Sequence, residues 1–416
     1  MQNSSETSFD VIVVGAGAAG IMAAITAARQ GKKVLLLEKL SKIAAKLKAT
    51  GGGRCNLTNT LSNEDFMARF GRNGRFMTPA LNALDHKALI AFFAEIGVES
   101  HAPDGYRVFP VSHSSVSIIT ALEEEMERLG VTLIASARVE RLEHNGERVC
   151  GVNTSDHTYS ASHVILATGG LGYPQLGAEG DGFGIASKAG HKITELYPAM
   201  MPLRTEETWV AQCRADTIPK VEIRIDLPKA KGIRAHGDLI FTQNGIRGPV
   251  VLDVAREITP LIEKHGSVPL LINMTKGLNE EQLRAHIKRE IDRNPEQSVL
   301  THMMTLLPEP LCRALCSLAQ ADPDSGFNKL EGMARDALIK LLAWTPLSVI
   351  GHDGFKMAMI TRGGVSLKEI SPDTMESKIL KGLYFCGEVM DLDGPCGGYN
   401  LQWSFASGYL AGELKK

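Results

Sequence analysis

The sequence predicts an α/β fold: a three-layer nucleotide-binding domain made of both chain ends, interrupted by a β-plus-helical insertion. Three observations predict it. The run Phe9-Asp-Val-Ile-Val-Val14 ends directly on Gly15-Ala-Gly-Ala-Ala-Gly20. A second apolar run, Lys33-Val-Leu-Leu-Leu-Glu38, follows one helix length later. A glycine-rich α/β texture returns after residue 355, beyond a long stretch of different character.

The elements follow in order. Residues 9–14 are β-branched and bounded by glycine, which reads as a strand buried on both faces of a parallel sheet. Residues 18–30 are Ala-rich and suit a helix that stops at Gly31, and 33–38 form the second strand of a βαβ unit. Helices are predicted over 86–96 and 114–129, and strands over 131–135, 137–143 and 147–152. The run 161–170 is a buried strand entering glycines, and a helix resumes over 180–190. From 197 the texture changes. Residues 200–275 alternate short apolar runs with Pro, Gly and charges, as an antiparallel β region does, and 278–343 favour helix. The strand Gly382–Cys386 and a helix over 400–413 return the chain to its first domain. The implied boundaries are 1–196 and 356–416 for that domain, with an insertion over 197–355: β-rich to about 275, then helical to about 345.

Length and composition exclude several classes. The chain has 416 residues, 44% hydrophobic and 22% charged, with a formal net charge of −2, too long for one core and without a global basic footprint for nucleic acid. Seven cysteines, an odd number widely spread, do not make a disulfide framework and fit a reducing cytoplasm. Residues 9–28 are apolar enough to mimic a signal peptide, but no Lys or Arg precedes them and glycines interrupt them. A buried strand and helix is the better reading, and no membrane association is expected.

The spacing Gly15-x-Gly17-x-x-Gly20 carries the first chemistry. Gly15 permits a tight turn and Gly17 admits a pyrophosphate. Gly20 lets helix and strand approach, with Ala18 and Ala19 opening the helix whose positive end faces the phosphates. Glu38 closes the second strand, where a carboxylate accepts from ribose hydroxyls. These residues alone do not choose between NAD and FAD. The far end of the chain does: Gly382-Leu-Tyr-Phe-Cys-Gly-Glu388, then Asp391, then Gly397-Gly-Tyr-Asn-Leu401 opening a last helix. A reduced flavin carries negative charge on one ring edge, which a second helix N-terminus stabilises; a nicotinamide needs no such site from distant chain.

Six segments recur in this order in one family: Gly15–Gly20, Thr50-Gly-Gly-Gly-Arg-Cys-Asn56, Ala167-Thr-Gly-Gly170, Gly180-Asp-Gly182, Thr361-Arg-Gly-Gly-Val365 and Gly387–Asn400. Over nearly its whole length the chain resembles the BaiN/RdsA-type FAD-dependent oxidoreductases, which include bile-acid enone reductases, aminoacetone-oxidase-like proteins and ribosomal-RNA dihydrouridine synthases. The resemblance implies a FAD-binding Rossmann-like three-layer domain with an inserted β-barrel and a helical subdomain. It implies that Gly51, Gly52, Arg54, Cys55 and Asn56 line the cofactor, that the backbone of Val139 meets adenine, and that Lys39, Lys46, Ala167, Thr168 and Gly169 lie against it. A more distant likeness to fumarate reductase and aspartate oxidase flavoproteins supports Asp181 and Glu388. Gly387, Asp391, Gly398, Tyr399, Asn400 and Leu401 complete the implied set.

Two departures stand out. The family's Gly-Arg-Lys before the triple glycine is Ala44-Ala45-Lys46 here, so an arginine is missing and the part played by Lys46 is open to question. His113 stands where an Asp is usual after Phe109-Pro110, either altering a proton path or decorating a turn.

Catalytic residues are not legible by type. Cys55 and Tyr399 are candidates, with Tyr106, Arg107 and His352 as further acid–base groups. A small polarizable residue also suits the crowded loop at Cys55. Cys312 and Cys316 share a helix face without two more ligands at zinc spacing, so no metal site is expected. There is no Cys-x-x-Cys, Gly-x-Ser-x-Gly or His-Glu-x-x-His. No second Gly-x-Gly-x-x-Gly exists, so either NAD(P)H visits the flavin and leaves or another donor reduces it. The expected reaction moves hydride between flavin N5 and a substrate carbon, reducing a conjugated C=C of a small molecule. The alternatives are reduction of uridine in ribosomal RNA, oxidation of a small amine, and a redox-silent scaffold. The RNA hint is a stretch over 220–234 with Lys220, Arg224, Lys229, Lys231 and Arg234 against Glu222 and Asp226.

Overall fold

The computed structural model describes residues 8–415. Its internal contacts divide the chain into two compact units: one runs to Tyr197 and resumes at Met359, the other is Pro198–Ala358.

In the first unit, β1 (Ser8–Val14) leads through Gly15–Gly17 into α1 (Ala18–Arg29), and β2 (Val34–Leu37) follows. Val11–Val14 and Val34–Leu37 are all buried, as central parallel strands covered on both faces must be. Two short strands, β3 (Thr58–Asn59) and β4 (Ser100–His101), flank β5 (Arg107–Pro110) in an antiparallel trio. Between them lies α2 (His86–Glu95), and after them α3 (Ser115–Arg128). The main sheet then gains β6 (Thr132–Ile134), β7 (Val139–His144), β8 (Val149–Thr154) and β9 (Thr158–Leu166), and α4 (Asp181–Lys188) closes this part. β1 pairs in parallel with β2 (Val11 opposite Val34) and with β9 (Val11 opposite His163), and β6 extends the sheet beyond β2.

The second unit holds a closed antiparallel barrel: β10 (Leu203–Thr205), β11 (Thr217–Ile225), β12 (Arg234–Phe241), β13 (Gly245–Arg247), β14 (Val268–Asn273) and β15 (Thr345–His352), in the spatial order β10-β13-β12-β11-β14-β15. Val221, Ile223 and Ile225 are buried while Glu222 and Arg224 between them are not, the period-two signature of a strand with one face inward. The helix α5 (Pro249–His265) sits within the stretch read from sequence as wholly β. Its Val250, Val254, Ala255 and Ile258 are buried at helical spacing, whereas the flanking prolines and glycines had suggested short strands. Four helices follow, α6 (Glu280–Arg293), α7 (Val299–Met303), α8 (Glu309–Leu318) and α9 (Gly332–Ala343). Only then does β15 return, pairing with both β10 and β14, so the barrel is completed from beyond the helical stretch.

Back in the first unit, β16 (Leu383–Phe385) pairs in parallel with β9 (Leu383 opposite Val164), beside the part of β9 that β8 leaves unpaired. The last helix, α10 (Tyr399–Gly412), follows. No helix among the described residues is long and apolar enough to cross a membrane.

Candidate functional site

The glycine turn after β1 is built as its spacing requires. Gly15 has φ +102°, and a Cβ there would lie 2.6 Å from the Ala167 carbonyl oxygen; a Cβ on Gly20 would lie 1.9 Å from the Gly15 oxygen. At Gly17 an added Cβ would meet nothing within 4 Å. Two glycines therefore close the turn, and the third opens it to a ligand. Glu38 holds the turn from the side: one carboxylate oxygen accepts from Ala16 N at 2.8 Å, the other from Leu40 N at 2.9 Å. Each oxygen keeps a lone pair for a ribose hydroxyl.

Among the first unit's helices of eight residues or more, the starts are of two kinds. α2 and α3 begin with side-chain caps, Asp85 accepting from Ala88 N and Ser114 from Val116 N. By contrast α1, α4 and α10 begin at Gly17, Gly180 and Gly398 with no side-chain cap. Their first N–H groups point outward as ready anion donors.

The packing of α10 on α1 fixes two of these starts in one frame. A Cβ on Gly408 would lie 2.2 Å from the Ala19 oxygen, and one on Gly412 would lie 2.5 Å from the Ala23 oxygen. The matched four-residue steps show that the helices run in the same direction with their backbones touching. Gly408 is the tenth residue of α10 and Ala19 the second of α1. At a rise of 1.5 Å per residue, the start of α10 therefore projects about 12 Å beyond the start of α1. Two uncapped helix ends are thus staggered side by side by about 12 Å along the helix direction, a spacing that suits the phosphates and redox ring of a dinucleotide.

The middle segments converge on the same region. Glu388 pairs with Lys46 at 2.7 Å and accepts from Thr361 N at 2.9 Å, while the Thr361 hydroxyl accepts from Leu171 N at 2.7 Å. Lys46, whose part the sequence left open, is thus the partner of the Gly-Glu segment 342 residues away. Gly170 sits against both partners, its Cβ position 2.6 Å from the Glu388 carboxylate. Ala167 is buried, Gly169 opens onto free space, and the Thr168 hydroxyl is buried with no hydrogen-bond partner. That orphaned oxygen and the open Gly17 and Gly169 fit a polar ligand lying across this edge of the sheet.

Lys39 and Arg138 both reach Glu179 and Asp181; the Lys39–Asp181 contact is 2.6 Å. Val139, Asp181 and Lys188 stand on the wall of a cavity of about 360 Å³ beside this cluster. Gly387 has φ +75° and donates to the Ser407 hydroxyl at 2.9 Å, with Ala19 against its Cα face.

In the triple-glycine loop Gly51 and Gly52 have φ of +61° and +68° and are exposed. Cys55 is fully buried at φ +59°, and burial pushes its thiol up to about 12. Such a group is a protonated thiol at neutral pH, not a nucleophile. Arg54 is exposed over the Phe109 ring at 5.4 Å. With its amide oriented to satisfy both ends, Asn56 donates to the Val108 and Thr58 oxygens and accepts from Gly398 N at 3.0 Å. Asn59 donates to the Gly397 oxygen at 2.9 Å. Asn400 closes the preceding loop on Gly394, accepting at 2.8 Å and donating at 2.9 Å. The start of α10 is therefore clamped to β3. Tyr399 is buried against Phe66 and Phe70, its hydroxyl 2.5 Å from that of Tyr106. Leu401 is half-buried on the next turn of sequence. Asp391 is held above the usual carboxylate range by burial, against the opposing pull of Thr194 and Arg362.

Sequence reasoning missed the helix contact made by Gly408 and Gly412, although the spacing Gly408-Tyr-Leu-Ala-Gly412 was there to be read. His352 and the Cys312–Cys316 pair belong to the second unit. Burial pushes Cys312 and Cys316 up to about 12 and about 11.

A phosphate-ready turn, a ribose carboxylate and a second, parallel helix start beside the first define an FAD-dependent oxidoreductase of the Rossmann class. More particularly, the chain belongs to the family described as the HI0933-like protein Rossmann domain, whose profile matches residues 9–414. It is 30% identical to a 3-dehydro-bile acid delta(4,6)-reductase of Clostridium scindens, over 96% of this chain and 97% of that one. It is also 30% identical to a ribosomal RNA dihydrouridine synthase of Escherichia coli, over 97% of each. Among solved structures, a 3-ketosteroid-delta4-(5alpha)-dehydrogenase from Rhodococcus jostii shares the fold, with a TM-score of 0.53 at 17% identity over 100% of this chain and 99% of that one.

Proposed function

We propose that this protein reduces a carbon–carbon double bond conjugated to a carbonyl in a small molecule, using FAD recharged by NAD(P)H. The observation that carries the reading is the parallel, glycine-mediated contact of α1 and α10, which staggers two uncapped helix starts by about 12 Å along the helix direction. Gly15–Gly20 and Glu38 would hold the pyrophosphate and ribose, Val139 the adenine, and Gly387, Glu388 with Lys46, Asp391 and Gly398–Leu401 the ring end. The flavin, when bound, supplies a hydride to carbon. The two named relatives share one chemistry: a Δ4,6 bile acid with a 3-oxo group and a uridine both present C=C in conjugation with C=O. Without a second glycine fingerprint in the sequence, the nicotinamide is read as a visitor, not a resident.

The test is anaerobic. Purified holoprotein is titrated with NADH or NADPH until the flavin bleaches, then mixed with 4-androstene-3,17-dione or a 3-oxo-Δ4,6 bile acid. Return of the oxidised spectrum with formation of the saturated ketone is expected. A reduced flavin that no conjugated ketone reoxidises would defeat the reading.

A second reading, reduction of uridine in ribosomal RNA, is favoured by the full-length likeness to the Escherichia coli enzyme. Lys220, Lys229 and Lys231 are exposed in the second unit, whereas Glu222 takes up Arg224 and Arg234. Retention on in vitro transcribed ribosomal RNA that falls steeply with salt supports this reading, and no retention at low salt sinks it.

A further inference from the structure

Reducing a conjugated double bond takes two hydrogens of different kinds: a hydride at the carbon β to the carbonyl, and a proton at the α carbon. The bound cofactor accounts for the first. The second needs an O–H or N–H of the protein at the ring end of the site, and most candidates there are committed elsewhere. Glu388 has Lys46 on one oxygen and Thr361 N on the other. Cys55 is sealed from solvent at zero exposure. Asn56, Asn59 and Asn400 spend their amides on backbone, Asn56 on Val108, Thr58 and Gly398, the other two on Gly397 and Gly394.

We propose that Tyr106 and Tyr399 form the proton relay of this reaction, Tyr106 as the donor and Tyr399 as its positioning residue; this rests on the conjugated-carbonyl reading above. The two hydroxyls are 2.5 Å apart, at the short end for O–H···O bonds. Tyr399 is the first residue of α10 and is buried, whereas Tyr106 is half-buried. The pair therefore joins the uncapped helix start to a group that solvent reaches. The turn carrying Tyr106 is rigid: Asp104 accepts from Tyr106 N at 3.0 Å, from Arg107 N at 2.7 Å and from Arg107 Nε at 2.7 Å. Tyr106 O accepts from Thr60 N at 3.0 Å, next to the strand that clamps Gly397 and Gly398. Both hydroxyls lie beside the glycine turn, the Tyr106 oxygen 3.9 Å from the place a Gly397 Cβ would take.

The step balances. As hydride adds to the β carbon, the π pair shifts toward the α carbon and carbonyl. The Tyr106 O–H bond breaks and a C–H bond forms at the α carbon, leaving the electron pair on the phenolate oxygen. Tyr399 donates its hydrogen bond to that oxygen, and the positive end of α10 favours the negative charge. A solvent proton then restores Tyr106.

The experiment compares wild type, Tyr106→Phe and Tyr399→Phe as holoenzymes, photoreduced without oxygen and mixed in a stopped-flow instrument with 4-androstene-3,17-dione across pH. Ferricyanide, which takes electrons without protonating carbon, is the control acceptor. Phe keeps the ring packing, so Tyr106→Phe should react normally with ferricyanide, and the rates of Tyr399→Phe are read per bound flavin. With the enone, Tyr106→Phe should slow flavin reoxidation by about 100-fold or more, and Tyr399→Phe should slow it about tenfold and displace the pH profile. A Tyr106→Phe enzyme within about threefold of a reactive wild type overturns the relay alone. A wild type inert to the enone but reactive with ferricyanide overturns the conjugated-carbonyl reading and the relay with it. Should Tyr399→Phe lose FAD, the half-exposed Tyr106 still decides the matter.

Discussion

Replacing Gly408 with Ala tests the contact on which the two helix starts depend. The added Cβ would lie 2.2 Å from the Ala19 carbonyl oxygen and 3.0 Å from its carbon. The obstacle is backbone, so no side chain can rotate away. Restoring the ~3.3 Å of a Cα–H···O contact requires the helices to part by about 1 Å. Overpacking of this kind costs about 1–3 kcal/mol, and a clash with fixed backbone belongs near the upper end. Alanine returns about 1 kcal/mol as the better helix former. The net loss is then roughly 2 kcal/mol, a fall in Tm of roughly 4–8 °C for a unit of this size. FAD bridging both helix starts should also be held less firmly. The assay is thermal unfolding with and without added FAD, together with the flavin-to-protein ratio after gel filtration. Gly184→Ala in α4 is the matched control: nothing lies within 4 Å of its Cβ position, so the same exchange should stabilise by about 0.5–1 kcal/mol. A Gly408→Ala protein as stable as wild type and fully loaded with FAD would refute both the contact and the spacing argument.

Glu38→Ala removes the acceptor of Ala16 N and Leu40 N, one of them on a fully buried residue; a loss of about 1–3 kcal/mol and release of FAD are expected, and an unchanged unfolding midpoint in urea contradicts this. Iodoacetamide near neutral pH should label the exposed Cys150 and Cys396 and spare Cys55; peptide mapping that finds Cys55 labelled first would restore it as a nucleophile. Asp391 has its folded pKa raised above the unfolded value of 3.8 by burial, so its contribution to stability is fullest below the unfolded value and lost as pH rises through the folded one. Asp391→Asn should therefore raise the Tm of the FAD-free protein at neutral pH, with the gain fading as pH falls toward 3.8; a gain that persists undiminished in acid has another cause.

Much of the first unit was legible because its signals are local. The strands at 9–14 and 33–38, the helix between them and the last helix announce themselves by burial-ready runs cut by glycine. What escaped depends on distant partners. The helix Pro249–His265 lies among turn-forming residues that suggest strands, and only its seat on the barrel explains its apolar stripe. The closing strand Thr345–His352 cannot be assigned to a barrel before its partners at 203–205 and 268–273 are known. Lys46 gained a partner only when residue 388 was brought beside it. Gly408 and Gly412 were visible as a spacing, but a spacing names no face until the opposing Ala19 and Ala23 are in place.

The chemistry of the site divides between backbone and side chains in a way that residue type conceals. Asn56, Asn59 and Asn400 look like ligand-binding amides, yet each bonds loop backbone. Glu38 holds the phosphate turn with both oxygens engaged. What no side chain caps are the starts of α1, α4 and α10, where Gly17, Gly180 and Gly398 lead into the helix. In such a site the polar side chains act first as clamps on glycine turns, and the turns present the donors. The exceptions are then informative. Tyr106 and Tyr399 set their hydroxyls 2.5 Å apart, a side-chain contact through which a proton can pass.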